Sequence, residues 1–180
     1  MIGIDVLACP SPLHWGESMV AHYGGISVAG EVVVDVGASH GDAACYFLSR
    51  GAQRVIAVEG DPLLAAALAE WSAGDDRIVP IQGYVRTPQQ LVWLIRMGAT
   101  VIKMDCEGCE QVLVRLPASI LRLIKRWVVE IHERKGGMTP ATATTIFRRL
   151  SDAGFRVWTE KHSWAPWPFG RNWMLYAVYE

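Results

Sequence analysis

From Glu31 onward the chain repeats one pattern: a short apolar run, a turn punctuated by glycine or proline, then an amphipathic stretch. "EVVVDVG" is β-branched and ends in Asp and Gly, as a strand buried on both faces should. "DAACYFLSRG" follows, with Ala43, Ala44, Phe47 and Leu48 on one helical face and Gly51 as its stop. "RVIAVEG" reads as the second strand and "DRIVPIQG" as the third, Pro80 marking an irregularity. Asp61-Pro62 and Thr87-Pro88 start helices, because a proline in the first turn forfeits no hydrogen bond. Thr87 and Gln90 have the spacing of a capping box. "TVIKMD" and "RWVVEIH" are the fourth and fifth strands, with "GCEQVLVRLPASILRLI" between them as a helix broken near Pro117. Thr139-Pro140 starts the last helix. "FRVWTE" and "NWMLYAVYE" close the chain as two strands joined by an aromatic loop.

Strand and helix in alternation mean a mostly parallel sheet with helices on both faces. The closing pair is expected to be antiparallel, since a short connection without a helix cannot make a right-handed crossover. A single domain is expected over residues 1–180, with 1–30 as an N-terminal cover and 31–180 as the core. Within the cover, "HYGGISVAG" reads as a small hairpin or a lid on the core. A hydrophobic content of 51% with eight tryptophans fits a packed interior. No apolar run is long enough to span a membrane, and "MIGIDVLACPSP" lacks the basic start of a signal peptide. A cytoplasmic protein with reduced thiols is the resulting expectation.

The net charge of −1 argues against a protein built mainly to hold nucleic acid. The charge is uneven, however. Residues 1–100 carry 5 basic and 10 acidic side chains, and residues 101–180 carry 12 and 8. Arg122, Lys125, Arg126, Arg134, Lys135, Arg148 and Arg149 make up much of the later excess. Solvated helix faces account for it most simply, and an RNA surface is the sharper reading.

In an open parallel sheet, ligands sit beyond the carboxyl ends of the strands. The first strand ends "DVGASHG", with Asp35, Gly37, Ser39 and Gly41. A glycine turn between strand and helix admits a ligand close to the backbone, and Asp35 is an acceptor for a ligand amino group. The second strand ends on Glu59, 24 residues after Asp35, placed to accept hydrogen bonds from ribose hydroxyls. An acid where phosphate would be repelled, with no phosphate-binding lysine, favours S-adenosylmethionine over a nucleotide. Its amino group and positive sulfonium suit acidic surroundings.

The fourth strand runs into "VIKMDCEGCEQ". Asp105 stands at its tip, Lys103 points to the same side, and Glu107 lies at the start of the next helix. Cys106 and Cys109 have Cys-x-x-Cys spacing. A zinc site needs more ligands than these two supply, and a redox pair is geometrically open. Small packing residues where the chain leaves the sheet are the favoured reading. The fifth strand ends "EIHE" and brings Glu130 and His132 to the same edge, His132 as a candidate general base. The loop "KHSWAPWPFGRN" offers His162, Trp164, Trp167, Phe169 and Arg171 as an aromatic lid or a stacking platform.

Taken in order, "VVVDVGASHGD", "VIAVEGDP", "VIKMDCEGCE" and "VVEIHE" resemble the successive blocks of the FkbM-type methyltransferases. That family's usual block is close to Lys-x-Asp-x-Glu-Gly-x-Glu, matched here by Lys103, Asp105, Glu107, Gly108 and Glu110. The cysteines fall in its variable slots. The resemblance covers about Val32 to the C-terminus and departs from the family at Ser39 and His40. It implies a Rossmann-like class I methyltransferase fold, an α/β sheet of seven strands in the order 3-2-1-4-5-7-6. It also implies methyl transfer to oxygen, on a sugar or small-molecule hydroxyl. Asp105, Lys103 and Glu107 are then the first candidates to position or deprotonate the acceptor, with Glu130 and His132 next. A divalent cation held by the carboxylates is an open alternative. RNA methylation, or a donor-binding module without catalysis, are the competing functions.

Overall fold

The computed structural model describes residues 19–132, 138–161 and 172–179. Its seven strands follow the order β3-β2-β1-β4-β5-β7-β6, as the family resemblance implies. The chain divides into two compact units, Met1–Tyr84 and Val85–Glu180.

In the first unit β1 (Val32–Val36) pairs in parallel with β2 (Arg54–Glu59), which pairs in parallel with β3 (Ile78–Gln82). Val33, Val34, Val36 and the run Val55–Val58 are buried. This continuous apolar run is what a strand covered on both faces requires. Pro80 sits in β3, at the end of the strand order, where a missing ladder donor is tolerated. α1 (Met19–Tyr23) precedes β1, α2 (Asp42–Ser49) follows it, and α3 (Pro62–Trp71) follows β2. Asp61 caps α3 by accepting from the Leu63 and Leu64 amides at 2.8 and 3.1 Å. The stretch from His22 to Gly30 contains no strand. It serves as a cover: Tyr23, Ile26 and Val28 are buried, and Tyr23 packs 5.4 Å from Phe47. Residues 1–18 of the expected cover lie outside the described residues.

In the second unit β4 (Val101–Met104) pairs in parallel with β5 (Arg126–His132). β5 is antiparallel to β7 (Asn172–Val178), and β7 is antiparallel to β6 (Arg156–Lys161). The capping box at α4 (Pro88–Arg96) forms as expected. The Gln90 amide donates to Thr87 Oγ1 at 3.3 Å, and the Thr87 amide donates to Gln90 Oε1 at 3.0 Å. α6 (Pro140–Asp152) is capped by Thr139. Between β4 and β5 the expected broken helix is instead a 3₁₀ helix, Cys109–Arg115, then a single turn, α5 (Ala118–Leu121). Glu107 and Gly108 are both left-handed, at φ 58° and 116°. Two such residues in succession prevent the chain from entering an α-helix directly.

Candidate functional site

The ligand-side edge of the first unit is organised by one carboxylate. After β1 the chain turns through Gly37, at φ 79°, and the Gly37 and Ala38 amides both donate to the Val58 carbonyl, at 2.9 and 3.0 Å. Ser39 is also left-handed, at φ 50°. Its amide donates to Glu59 Oε2 at 2.7 Å, while the Asp61 amide donates to Glu59 Oε1 at 2.8 Å. Glu59 thus ties the glycine turn to the start of α3. A carboxylate has about four acceptor positions, so it retains capacity for two ribose hydroxyls. Asp35 is buried in β1, one residue before the strand ends. Gly41 has a different reason to be glycine. A Cβ there would stand 2.5 Å from the Trp71 ring, so helix packing also requires a glycine. The Tyr84 ring lies across Gly60, where any Cβ would collide with it, and Tyr84 is 55% exposed. Sequence reasoning misses this residue. An aromatic just past the third strand, level with the acid that ends the second, is the available signal.

At the corresponding edge of the second unit, the side chains expected to share a site do so. β4 and β5 are paired with Lys103 opposite Val128 and Met104 opposite Val129. Asp105 leaves the tip of β4, while Glu130 and His132, two residues apart, share one face of β5. Lys103 is buried, and its Nζ is 3.8 Å from Asp105 Oδ2. His132 Nε2 lies 3.4 Å from Asp105 Oδ1 and 3.7 Å from an oxygen of both Glu107 and Glu130. Its other nitrogen, Nδ1, donates to Glu110 Oε1 at 2.9 Å. Glu110 is fully buried in the 3₁₀ helix. It was absent from the expected site, although it is the last acid of the Lys-x-Asp-x-Glu-Gly-x-Glu block. Burial by itself would lower the imidazole pKa. The Glu110 hydrogen bond and the charges of Asp105, Glu130 and Glu110 outweigh burial and push it up to about 9. At neutral pH His132 is therefore an imidazolium that already carries its proton.

Cys106 and Cys109 are joined by a disulfide, their Cα atoms 5.5 Å apart. Both are half-buried. The expectation of reduced thiols is corrected here, since the two sulfurs bond to each other. Cys45 is disulfide-bonded as well, so the described cysteines do not bear out the reduced thiols expected of a cytoplasmic protein. No helix among the described residues is long and apolar enough to cross a membrane. His162, Trp164, Trp167, Phe169 and Arg171 of the aromatic loop, with Arg134 and Lys135, lie outside the described residues.

No family model matches the chain. Protein 65 of Sulfolobus islandicus filamentous virus, itself uncharacterised, is 29% identical over 139 residues, covering 73% of this chain and 80% of its own. Aeropyrum pernix fibrillarin, solved with natively bound S-adenosylmethionine, aligns with TM-score 0.59 at 20% identity, over 85% of this chain and 69% of its own. Precorrin-6y C5,15-methyltransferase from Geobacter metallireducens aligns with TM-score 0.62 at 14% identity, over 98% and 94%. The fold is that of the class I methyltransferases. At these identities the likeness is one of architecture, and the chemistry has to be argued from the residues.

Proposed function

We propose that this chain is an S-adenosylmethionine-dependent methyltransferase acting on a hydroxyl, with a sugar or small-molecule acceptor. The observation that carries the donor assignment is Glu59. In a fold whose fibrillarin member holds S-adenosylmethionine, the acid ending β2 braces the glycine turn and keeps acceptor capacity for a ribose. Asp35 and the Gly37–Ser39 backbone suit the donor's amino acid end, and the exposed Tyr84 ring suits its base. These residues supply acids and backbone amides, which fits a ligand with a positive sulfonium and no phosphate. S-adenosylmethionine would supply an electrophilic methyl group.

On transfer a carbon–oxygen bond forms as the carbon–sulfur bond breaks, and the hydroxyl proton must go elsewhere. Asp105 is the residue best suited to take it. Its side chain is 25% exposed, whereas Glu130 is 8% exposed and His132, as an imidazolium, has no site for a further proton. Lys103 and His132 flank Asp105 and orient its carboxylate. The FkbM-like block at Lys103, Asp105, Glu107, Gly108 and Glu110 supports oxygen as the acceptor atom.

RNA as acceptor is less well supported by the residues described. Arg122 donates to the Ala153 carbonyl at 2.9 Å and Arg149 to the Leu116 carbonyl, so part of the basic excess fastens the unit to itself. The test is transfer of labelled methyl from S-adenosylmethionine into a fractionated cell extract. Label in a small-molecule or glycan fraction is the expected result. Label in RNA would move the acceptor assignment. Donor binding with no label in any fraction would make the chain a binding module.

A further inference from the structure

We propose that Asp105, Glu130 and His132 form a site for one divalent cation of the Mn²⁺ type, with Glu110 as the carboxylate that orients the histidine. One ligand atom from each of the three residues lies within 4.8 Å of the other two. The separations from His132 Nε2 are 3.4 Å to Asp105 Oδ1 and 3.7 Å to Glu130 Oε1. Adjacent ligands on a six-coordinate ion with bonds of about 2.1–2.2 Å stand about 3 Å apart, and opposite ones about 4.3 Å. Binding the ion would displace the proton from His132 Nε2 to solvent.

This cluster differs from an exposed group of acids in three ways. Glu130 and His132 are buried, and β7 fixes their backbone, pairing Glu130 with Met174 and His132 with Asn172. The histidine is aimed: its Nδ1–H is held by Glu110, which leaves Nε2 directed at Asp105, Glu107 and Glu130. A carboxylate behind a histidine is the usual support of a metal-ligating imidazole. Finally, Glu110 Oε2 is buried with no hydrogen-bond partner among the described residues. Its other oxygen, Oε1, accepts from His132 Nδ1 at 2.9 Å and from the Cys106 amide at 3.5 Å, which fixes the carboxylate against the histidine. One imidazole with two carboxylates and open positions suits Mn²⁺ better than the thiolate-seeking metals, and the nearby sulfurs are bonded to each other.

The ion's role rests on the proposed methyl transfer to oxygen: it would lower the pKa of an acceptor hydroxyl. Asp105 would then be a ligand, and Glu107, 58% exposed and 3.7 Å from the same Nε2, the carboxylate left to take the proton.

The test titrates Mn²⁺ into the full chain without donor or acceptor, following the loss of the free-ion electron paramagnetic resonance signal. One saturable ion per chain is expected. Glu130→Gln and Asp105→Asn should each weaken it at least tenfold, and Glu110→Gln by about 10–100-fold, the range for residues that support a ligand. Lys103→Met removes a competing positive charge and should tighten binding several-fold, an outcome that misfolding cannot imitate. Absence of saturable Mn²⁺ binding would overturn the proposal, as would Lys103→Met binding no more tightly than the parent. S-adenosylhomocysteine binding, measured on the same samples, reports separately on the donor assignment.

Discussion

A carboxylate that holds its own loop cannot be removed without consequence, and Glu59 is such a carboxylate. Its two oxygens accept the Ser39 and Asp61 amides at 2.7 and 2.8 Å. Glu59→Ala should weaken S-adenosylhomocysteine binding by about 1–3 kcal/mol, the value of a hydrogen bond to a charged group. Calorimetry checks this, and undiminished affinity would place the donor elsewhere. The same variant should also melt earlier, because two turn amides lose their acceptor. Asp105 offers the opposite experiment, since its contacts among the described residues are with the side chains of Lys103 and His132. Asp105→Asn preserves shape and removes charge. Donor affinity should stay within several-fold while turnover falls about 10²–10⁴-fold, the usual contribution of a positioned acid or base. Wild-type turnover in this variant would reduce Asp105 to the end of a strand. Both acids were legible in the sequence because strand tips can be located from β-branched runs. Glu110 was not, since no periodicity announces that a 3₁₀ segment will tuck it beneath His132.

The segment from Asp105 to Arg115 shows where reading elements from sequence stops working. The caps at Asp61, Thr87 and Thr139 formed because side-chain chemistry and position coincide there. Cys109 to Arg115 has helical composition but adopts 3₁₀ geometry behind left-handed Glu107 and Gly108. Non-glycine φ above zero and disulfide formation are properties of the folded backbone, so the cysteines read as filler. Their bond closes a four-residue loop beside Asp105, Glu107 and Glu110, worth about 2 kcal/mol by loop-closure entropy. Replacing Cys106 and Cys109 by serine should lower turnover while S-adenosylhomocysteine affinity holds, because the donor residues lie in the other unit. Equal loss of both would mean that the bond supports the whole chain. The closing strands allow a second test. Tyr176 is buried in β7 and stacked 5.2 Å from Trp158. Burial first, then the Glu160 charge and hydrogen bond, push its pKa up to about 12. The folded value exceeds the unfolded value near 10, so Tyr176 stabilises the fold fully below pH 10 and loses that contribution as pH rises toward 12. Absorbance titration should show a late phenolate that disappears in Tyr176→Phe. Ionisation of every tyrosine near pH 10 would contradict it.

At the scale of the molecule the strand order was what the family resemblance implied, and the antiparallel closing pair was legible in the sequence, since the last two strands have no helix to cross with. The division between Tyr84 and Val85 was not. Gly83 and the Thr87 cap bracket it, but the same punctuation occurs at other turns in the chain. That division gives donor binding a measurable consequence for stability. The residues assigned to the donor, Asp35, the turn from Gly37, Glu59 and Tyr84, all belong to the first unit. A ligand that binds only the folded state adds about 2.7 kcal/mol when present at about a hundred times its dissociation constant. For chains of about 150–250 residues each kcal/mol raises the melting temperature by about 2–4 °C. S-adenosylhomocysteine at that excess should therefore raise the transition by roughly 5–11 °C. If the units unfold together, one transition moves. If they unfold separately, the transition that moves is the one whose amides, followed by hydrogen exchange, lie in β1 and β2. Glu59→Ala should shrink the shift in proportion to its lost affinity. No shift at any soluble concentration, in a chain that is folded by circular dichroism, would remove the donor from this edge and with it the methyltransferase reading.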